Sequence, residues 1–155
     1  MSTSEIGSAT RLSTSQALAL ARDSVVGRLA VVVEDHPDIF PVNHVVDHGT
    51  IVFRTAEGTK LASAIGRLVA FEVDGYDVAS GSAWSVVVKG RAHEILEMGD
   101  VLDALSLPVF PWHDAPKPRY VRIEPDSISG MRFAVPGGTV TGSSGEPGTS
   151  GRTRS

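Results

Sequence analysis

The sequence predicts a mainly β fold closed into an antiparallel barrel. Three observations carry this. Phe40 to Leu61 (FPVNHVVDHGTIVFRTAEGTKL) reads as strand, tight turn, strand, then a small polar loop opening a helix, and so short a hairpin connection requires antiparallel pairing. Gly81 to Ile95 (GSAWSVVVKGRAHEI) alternates along its length, with Trp84, Val86, Val88, Gly90 and Ala92 on one face and Ser85, Val87, Lys89, Arg91 and His93 on the other; one apolar and one charged face is the pattern of a barrel strand. About six strands at short spacing, with two small helices, favour a barrel over a parallel α/β sheet.

The elements follow in order. Residues 1–11 are Ser/Thr-rich and are expected to be flexible. Ser13 followed three residues later by Gln16 is a capping-box signature opening a helix through QALALARDS, with Gly27 as its stop. GRLAVVVED is a strand rich in β-branched residues. His36-Pro37-Asp38 is read as the turn, and Ile39 to Val46 as the next strand, with Val42, His44 and Val46 on one face and Asn43 and Val45 on the other. Asp47-His48-Gly49 is a hairpin turn into TIVFR. Thr55 to Gly58 forms a loop, and Thr59 to Gly66 a short helix ended by its glycine. Leu68 to Val73 is a strand, Gly75 to Ser82 a polar connection, and Gly90 marks a bend or bulge in the long strand. Glu97 to Leu105 is read as a second helix. Four prolines between Leu107 and Pro118 argue against regular structure there. Two further strands are expected at Arg119 to Glu124 and Met131 to Val135. The domain thus spans 12–135, followed by a Gly/Ser-rich tail, 136–155, expected to be disordered.

Composition narrows the function. At 155 residues, 41% of them hydrophobic, the chain makes one domain with a real core. A net charge of −4 argues against a general nucleic-acid binder. Without cysteine there are no disulfides and no thiolate chemistry, and zinc loses its commonest structural ligand. The five histidines show no metal spacing, so no metal site is expected. No apolar run approaches the roughly 20 residues of a membrane span, and the polar N-terminus has no apolar signal core; a cytoplasmic protein without membrane contact is the expectation. Neither a Gly-x-Gly-x-x-Gly fingerprint nor a nucleophile elbow is present.

One corner does carry chemistry. Thr55 and Thr59 stand at a strand–helix junction with Arg54 and Lys60 beside them. Hydroxyls, loop amides and two cations at one spot suit a phosphate. Asn43 is open to two readings, an amide that satisfies a turn or a neighbouring strand or one that meets a planar cofactor. His44 is open to two readings, acid–base chemistry near such a cofactor or a packed core histidine. Trp84 is likewise either core or a flat contact for a cofactor or a subunit seam.

The ordered set GRLAVV, PVNHVVDHGTIVFRTAEGTKL, VAFEVD, WSVVVKGRA and RYVRIEPDSISG resembles the pyridoxamine 5′-phosphate oxidase-like family of FMN-binding split barrels, in the branch that includes the nitroimidazole-reductase-like proteins. The likeness spans Leu12 to Phe133. It implies a six-stranded antiparallel split β-barrel and a homodimer with FMN between subunits. It also implies an oxidoreductase acting on an unidentified small molecule. The residues it implies for the cofactor are Pro41, Val42, Asn43 and His44 along the ring, Arg54, Thr55, Thr59 and Lys60 at the phosphate, and Trp84 and Ser85 approaching the flavin from the partner subunit. The basic residues that hold the substrate phosphate in the true oxidases are not found here, so the resemblance does not extend to pyridoxal phosphate synthesis. The family also contains members that use F420, and a non-catalytic flavin-binding or storage module is a further alternative.

Overall fold

The computed structural model describes residues 9–97 and 118–135. The readings of a second helix over Glu97 to Leu105, a proline-rich loop to Pro118 and a C-terminal tail fall wholly or mainly outside these residues.

Helix α1 (Thr14–Asp23) begins as the sequence predicts. The Ser13 hydroxyl accepts from the Gln16 amide at 3.1 Å, and the Ser13 amide donates to the Gln16 side chain at 2.9 Å. Around it stand β1 (Thr10–Arg11), β2 (Val26–Val33), β3 (His36–Asp47), β4 (Thr50–Ala56), β5 (Leu68–Asp77), β6 (Ser82–Glu94) and β7 (Pro118–Ala134). Every pairing is antiparallel. The order β7-β4-β3-β2-β5-β6 returns to β7 through the β6–β7 ladder, closing a six-stranded barrel, and β1 is a two-residue addition on β7. A 3₁₀ turn, Leu61–Ala64, joins β4 to β5.

Several expectations about boundaries are corrected. Gly27 does not stop α1, which ends at Asp23; it lies within β2, where a Cβ would stand 2.3 Å from the Phe71 ring. The β2–β3 turn is Glu34-Asp35, both at positive φ, and His36, Pro37 and Asp38 already pair with β2. Gly75 to Asp77 extend β5. The helix expected over Thr59 to Gly66 contracts to the 3₁₀ turn, and the two expected C-terminal strands are one, β7. The reading of Gly90 holds: the β6–β7 register shifts between Lys89 and Gly90.

The core fills the barrel. Leu29, Val31, Val42, Ile51, Phe53, Phe71, Val86, Val88, Val121 and Ile123 are buried together, one face of each strand. Ala17 and Ala21 of α1 join them, so the helix plugs one end. The 3₁₀ turn lies at the opposite end, where Gly66 and Arg67 exchange backbone hydrogen bonds with Ala92 late in β6.

Candidate functional site at the open seam of the barrel

The barrel is split along one seam. β3 pairs with β4 only from His44↔Phe53 to Asp47↔Thr50. Before His44, β3 keeps its ladder with β2, from Asn43↔Val26 back to His36↔Val33. Beyond Phe53, β4 keeps its ladder with β7, through Arg54↔Tyr120, Thr55↔Arg119 and Ala56↔Pro118. The two strands therefore part, and no described strand fills the space between residues 36–43 and 54–56. A strand edge that no described strand pairs with presents backbone donors and acceptors sideways.

Asn43 and Arg54 flank the point where the seam opens, next in register beyond His44 and Phe53. By strand alternation both lie on the outer face, and both are half-buried. Thr55 points the other way and is buried. Its hydroxyl lies 3.0 Å from that of Thr59. Thr59 also donates to the Ala56 carbonyl at 2.8 Å and accepts from the Ala62 amide at 3.2 Å. Since a hydroxyl has one proton, Thr59 spends its own on Ala56, and Thr55 is the donor of the pair. Thr59 thus ties the loop to the first turn of the 3₁₀ segment and Thr55 holds Thr59, while Arg54 and the exposed Lys60 are the cations of this stretch of chain. Gly58, at φ 80°, allows the loop to turn back toward them.

The remaining expected residues divide. Pro41 is exposed on β3 along the open edge. Val42 and His44 face the core, 1% and 4% exposed. The imidazole Nε2 of His44 lies 2.8 Å from the Ala21 carbonyl and its ring meets Phe71 edge-on at 4.7 Å. Both side chains therefore turn away from the seam, and only their backbone borders it. The packed reading of His44 describes its surroundings, and burial pushes its pKa below the ordinary imidazole value.

Trp84 and Ser85 lie far from this corner. Trp84 pairs with Gly75, where a Cβ would stand 2.6 Å from the indole, so its ring covers that glycine. Eight strand residues separate Trp84 from Ala92, or about 26 Å at roughly 3.3 Å per residue. Within one chain the structure joins Thr55 to Thr59, sets Asn43 and Arg54 one register step beyond the last β3–β4 pair, and sets Trp84 and Ser85 toward the α1 end.

Sequence reasoning missed Arg119. It sits opposite Thr55 and makes a bidentate pair with Glu94, Nε to Oε1 at 2.7 Å and Nη2 to Oε2 at 2.6 Å. The guanidinium holds the Glu94 carboxyl below its usual range. No local signal announces a pair whose partners are 25 residues apart. Among the described residues no group of three or more His, Cys, Asp and Glu side chains could hold a metal, and no helix is long and apolar enough to cross a membrane.

A closed antiparallel barrel, split along one seam, defines a split-barrel protein. The family model of pyridoxamine 5′-phosphate oxidase matches residues 13–132, and the chain belongs to that family. A solved FAD binding protein from Mycobacterium smegmatis is 40% identical, with a TM-score of 0.72, covering 80% of this chain and 99% of its own. A FAD-binding protein from Mesorhizobium loti, at 23% identity and a TM-score of 0.66 over 83% of this chain and 98% of its own, shares the fold. An uncharacterized protein of Mycobacterium tuberculosis, Rv3129, is 44% identical over 85 residues, 54% of this chain and 76% of the relative.

Proposed function

We infer that the chain is a flavin-binding oxidoreductase, holding FMN by its phosphate at the Arg54–Lys60 corner with the ring along the open edge of β3. The observation that carries this is the parting of β3 from β4 at His44↔Phe53, with no strand between them among the described residues and Arg54 and Lys60 in the segment that leaves β4. A flavin phosphate with close to two negative charges suits Arg54 and Lys60, and charge-assisted hydrogen bonds are roughly twice as strong as neutral ones. Thr55 and Thr59 fix the loop that presents Lys60. Asn43 meets the pyrimidine edge, with Pro41 and the backbone of Val42 and His44 alongside. When bound, the flavin supplies hydride and electron transfer, while the protein supplies position and electrostatics.

Trp84 and Ser85 reach the cofactor in this reading only from a second subunit, since in their own chain they lie at the opposite end of β6. The reading is therefore of a homodimer. A sheet face suited to pairing exists: Val32, Ile39 and Leu68 are 57%, 65% and 62% exposed on β2, β3 and β5. The smaller Ala30, paired with Ile39 and with Ala70, lies between them.

A second reading, FAD in the same seam, is favoured by the likeness to the FAD binding protein from M. smegmatis. The experiment is to purify the protein, record its absorption spectrum, and identify any flavin released by denaturation. Yellow protein releasing FMN supports the first reading, and release of FAD the second. Colourless protein that takes up added F420 and no flavin overturns both. Lys60→Ala is expected to lower FMN occupancy, with riboflavin binding little changed. Unchanged FMN retention would remove Lys60 from the phosphate site. Oxidoreductase activity is tested by steady-state reduction with NAD(P)H and a panel of small acceptors; bound flavin without turnover would make the chain a flavin carrier.

A further inference from the structure

Arg28, Glu72 and Asp74 form a charged cluster that neither the core nor the flavin site uses. One guanidinium nitrogen, Nη1 of Arg28, donates to Glu72 Oε2 at 3.0 Å and to Asp74 Oδ2 at 2.9 Å. Two carboxyl groups on a single cation leave one negative charge over, and like charges so close favour a proton on one of them. Glu72 is the less exposed of the two, 30% against 50%. Burial, and then its hydrogen bond with Asp74, push the Glu72 pKa up, while that same hydrogen bond holds Asp74 below its usual range.

The cluster borders the apolar outer face of β2, β3 and β5. Arg28 pairs with Glu72 and with Pro41; two residues on, Ala30 pairs with Ala70 and with Ile39. Strand alternation puts these side chains, with Val32 and Leu68 beyond them, on one side of the sheet. On β6, Val87 faces Glu72, Ser85 faces Asp74, and Lys89, opposite Ala70, is the next charged residue along that side. β3 brings no charge to Arg28: Pro41 faces it, flanked on the same side by Ile39 and Asn43.

We propose that this face seats a second copy of the chain, and that Arg28, Glu72 and Asp74 link the seating to a proton: association strips water from the cluster, and a proton on Glu72 cancels its surplus charge. The inference rests on the homodimer in the reading above and adds how that dimer is regulated. A hydrated carboxyl pair tolerates its extra charge; the same pair under a partner's apolar face does not. The associated state therefore holds the proton more tightly than the separate chains do. The dimer strengthens as pH falls through the raised Glu72 range and weakens as pH rises above it. A two-fold seam is made of the same patch on both copies, so each copy contributes one cluster.

The test follows the monomer–dimer equilibrium of the full chain, as purified, by light scattering over a dilution series. It runs from about pH 8 down to about pH 5.5 at fixed salt, with circular dichroism confirming the fold at each pH. Each proton taken up on association tightens Kd by up to about tenfold per pH unit. Glu72→Gln makes that position neutral at every pH and leaves Arg28 paired with Asp74 alone. It is expected to dimerise several-fold more tightly than the wild type at pH 8 and to lose most of the wild-type slope. Asp74→Asn, which leaves Arg28 paired with Glu72, is expected to do the same, so two variants carry the result. If the wild type and both variants run parallel, or the wild type loosens relative to them as pH falls, the cluster is a surface ion pair only; the inference falls and the flavin reading stands. A dimer that Ile39→Glu leaves intact uses another face and overturns the inference too. A wild type that is monomeric throughout removes the homodimer of that reading, and this inference with it.

Discussion

His44 is the buried group whose chemistry is most constrained. Its Nε2 carries the proton given to the Ala21 carbonyl, which leaves Nδ1 bare, and Nδ1 has no hydrogen-bond partner among the described residues. Charging the ring would place a second N–H among Phe53, Phe71 and the barrel core without an acceptor. The nearby ions do not relieve this: Arg22 and Asp23 on α1 are exposed, and Arg28 on β2 is bound to Glu72 and Asp74 on the outer face of β5. Because burial lowers the folded-state pKa, the neutral ring stabilises the fold above the unfolded histidine value of about 6.5. That stability is lost as pH falls below it, since the unfolded chain takes up a proton the folded chain resists. Urea midpoints at pH 7.5 and pH 5.5 are expected to differ in the wild type and to converge in His44→Gln, whose amide still reaches Ala21. An equal pH dependence in the variant would assign the effect to other groups. The inward placement of His44 was legible in the strand alternation that put it with Val42 and Val46; what was not legible was Ala21, 23 residues earlier, as its partner.

At the scale of elements, legibility follows the range of the forces. The start of α1 was readable because a capping box is contained in four residues. The contact of Thr55 with Thr59 across the loop after β4 lies within reach of the same kind of local reading. The β2–β3 turn was misplaced onto Pro37 because a turn of two non-glycine residues at positive φ, Glu34 and Asp35, is rare, and proline is the stronger local signal. β7 was read as two strands because Pro125-Asp126-Ser127 looks like a break. The ladder shows how it is absorbed: Lys89 pairs with Ser127 and Gly90 with Pro125, which leaves Asp126 as the extra residue of a bulge. Gly90 makes the bulge possible, since a Cβ there would lie 2.0 Å from the Glu124 carbonyl oxygen. That obstacle is backbone and cannot rotate away. Gly90→Ala is therefore expected to cost about 3 kcal/mol or more, measured by chemical denaturation. A loss no larger than an exposed strand glycine would show means that the two strands can slide apart there without penalty.

For the whole molecule, the barrel and its site make different demands on the chain. The barrel closes through β6 and β7 and buries its core within one copy. The proposed cofactor site does not close in one copy, because the phosphate corner and Trp84 occupy opposite ends of the longest ladder. A substitution on the exposed face of β2, β3 and β5 should therefore separate folding from cofactor binding. Ile39, 65% exposed, contributes little to its own barrel. In a dimer seam, burying it is worth about 1.5–3 kcal/mol, so Ile39→Glu, which also brings an unpaired charge, is expected to weaken association by tenfold or more. Light scattering across a concentration series should show the variant shifting to monomer while its circular dichroism and melting temperature stay near wild type. Flavin occupancy should fall in step with the dimer fraction, because each site loses Trp84 and Ser85 of the other copy. Occupancy that persists in the monomer would place the whole cofactor site within one seam, with Trp84 left to cover Gly75. A wild type that is monomeric at every concentration would remove the two-subunit site at once.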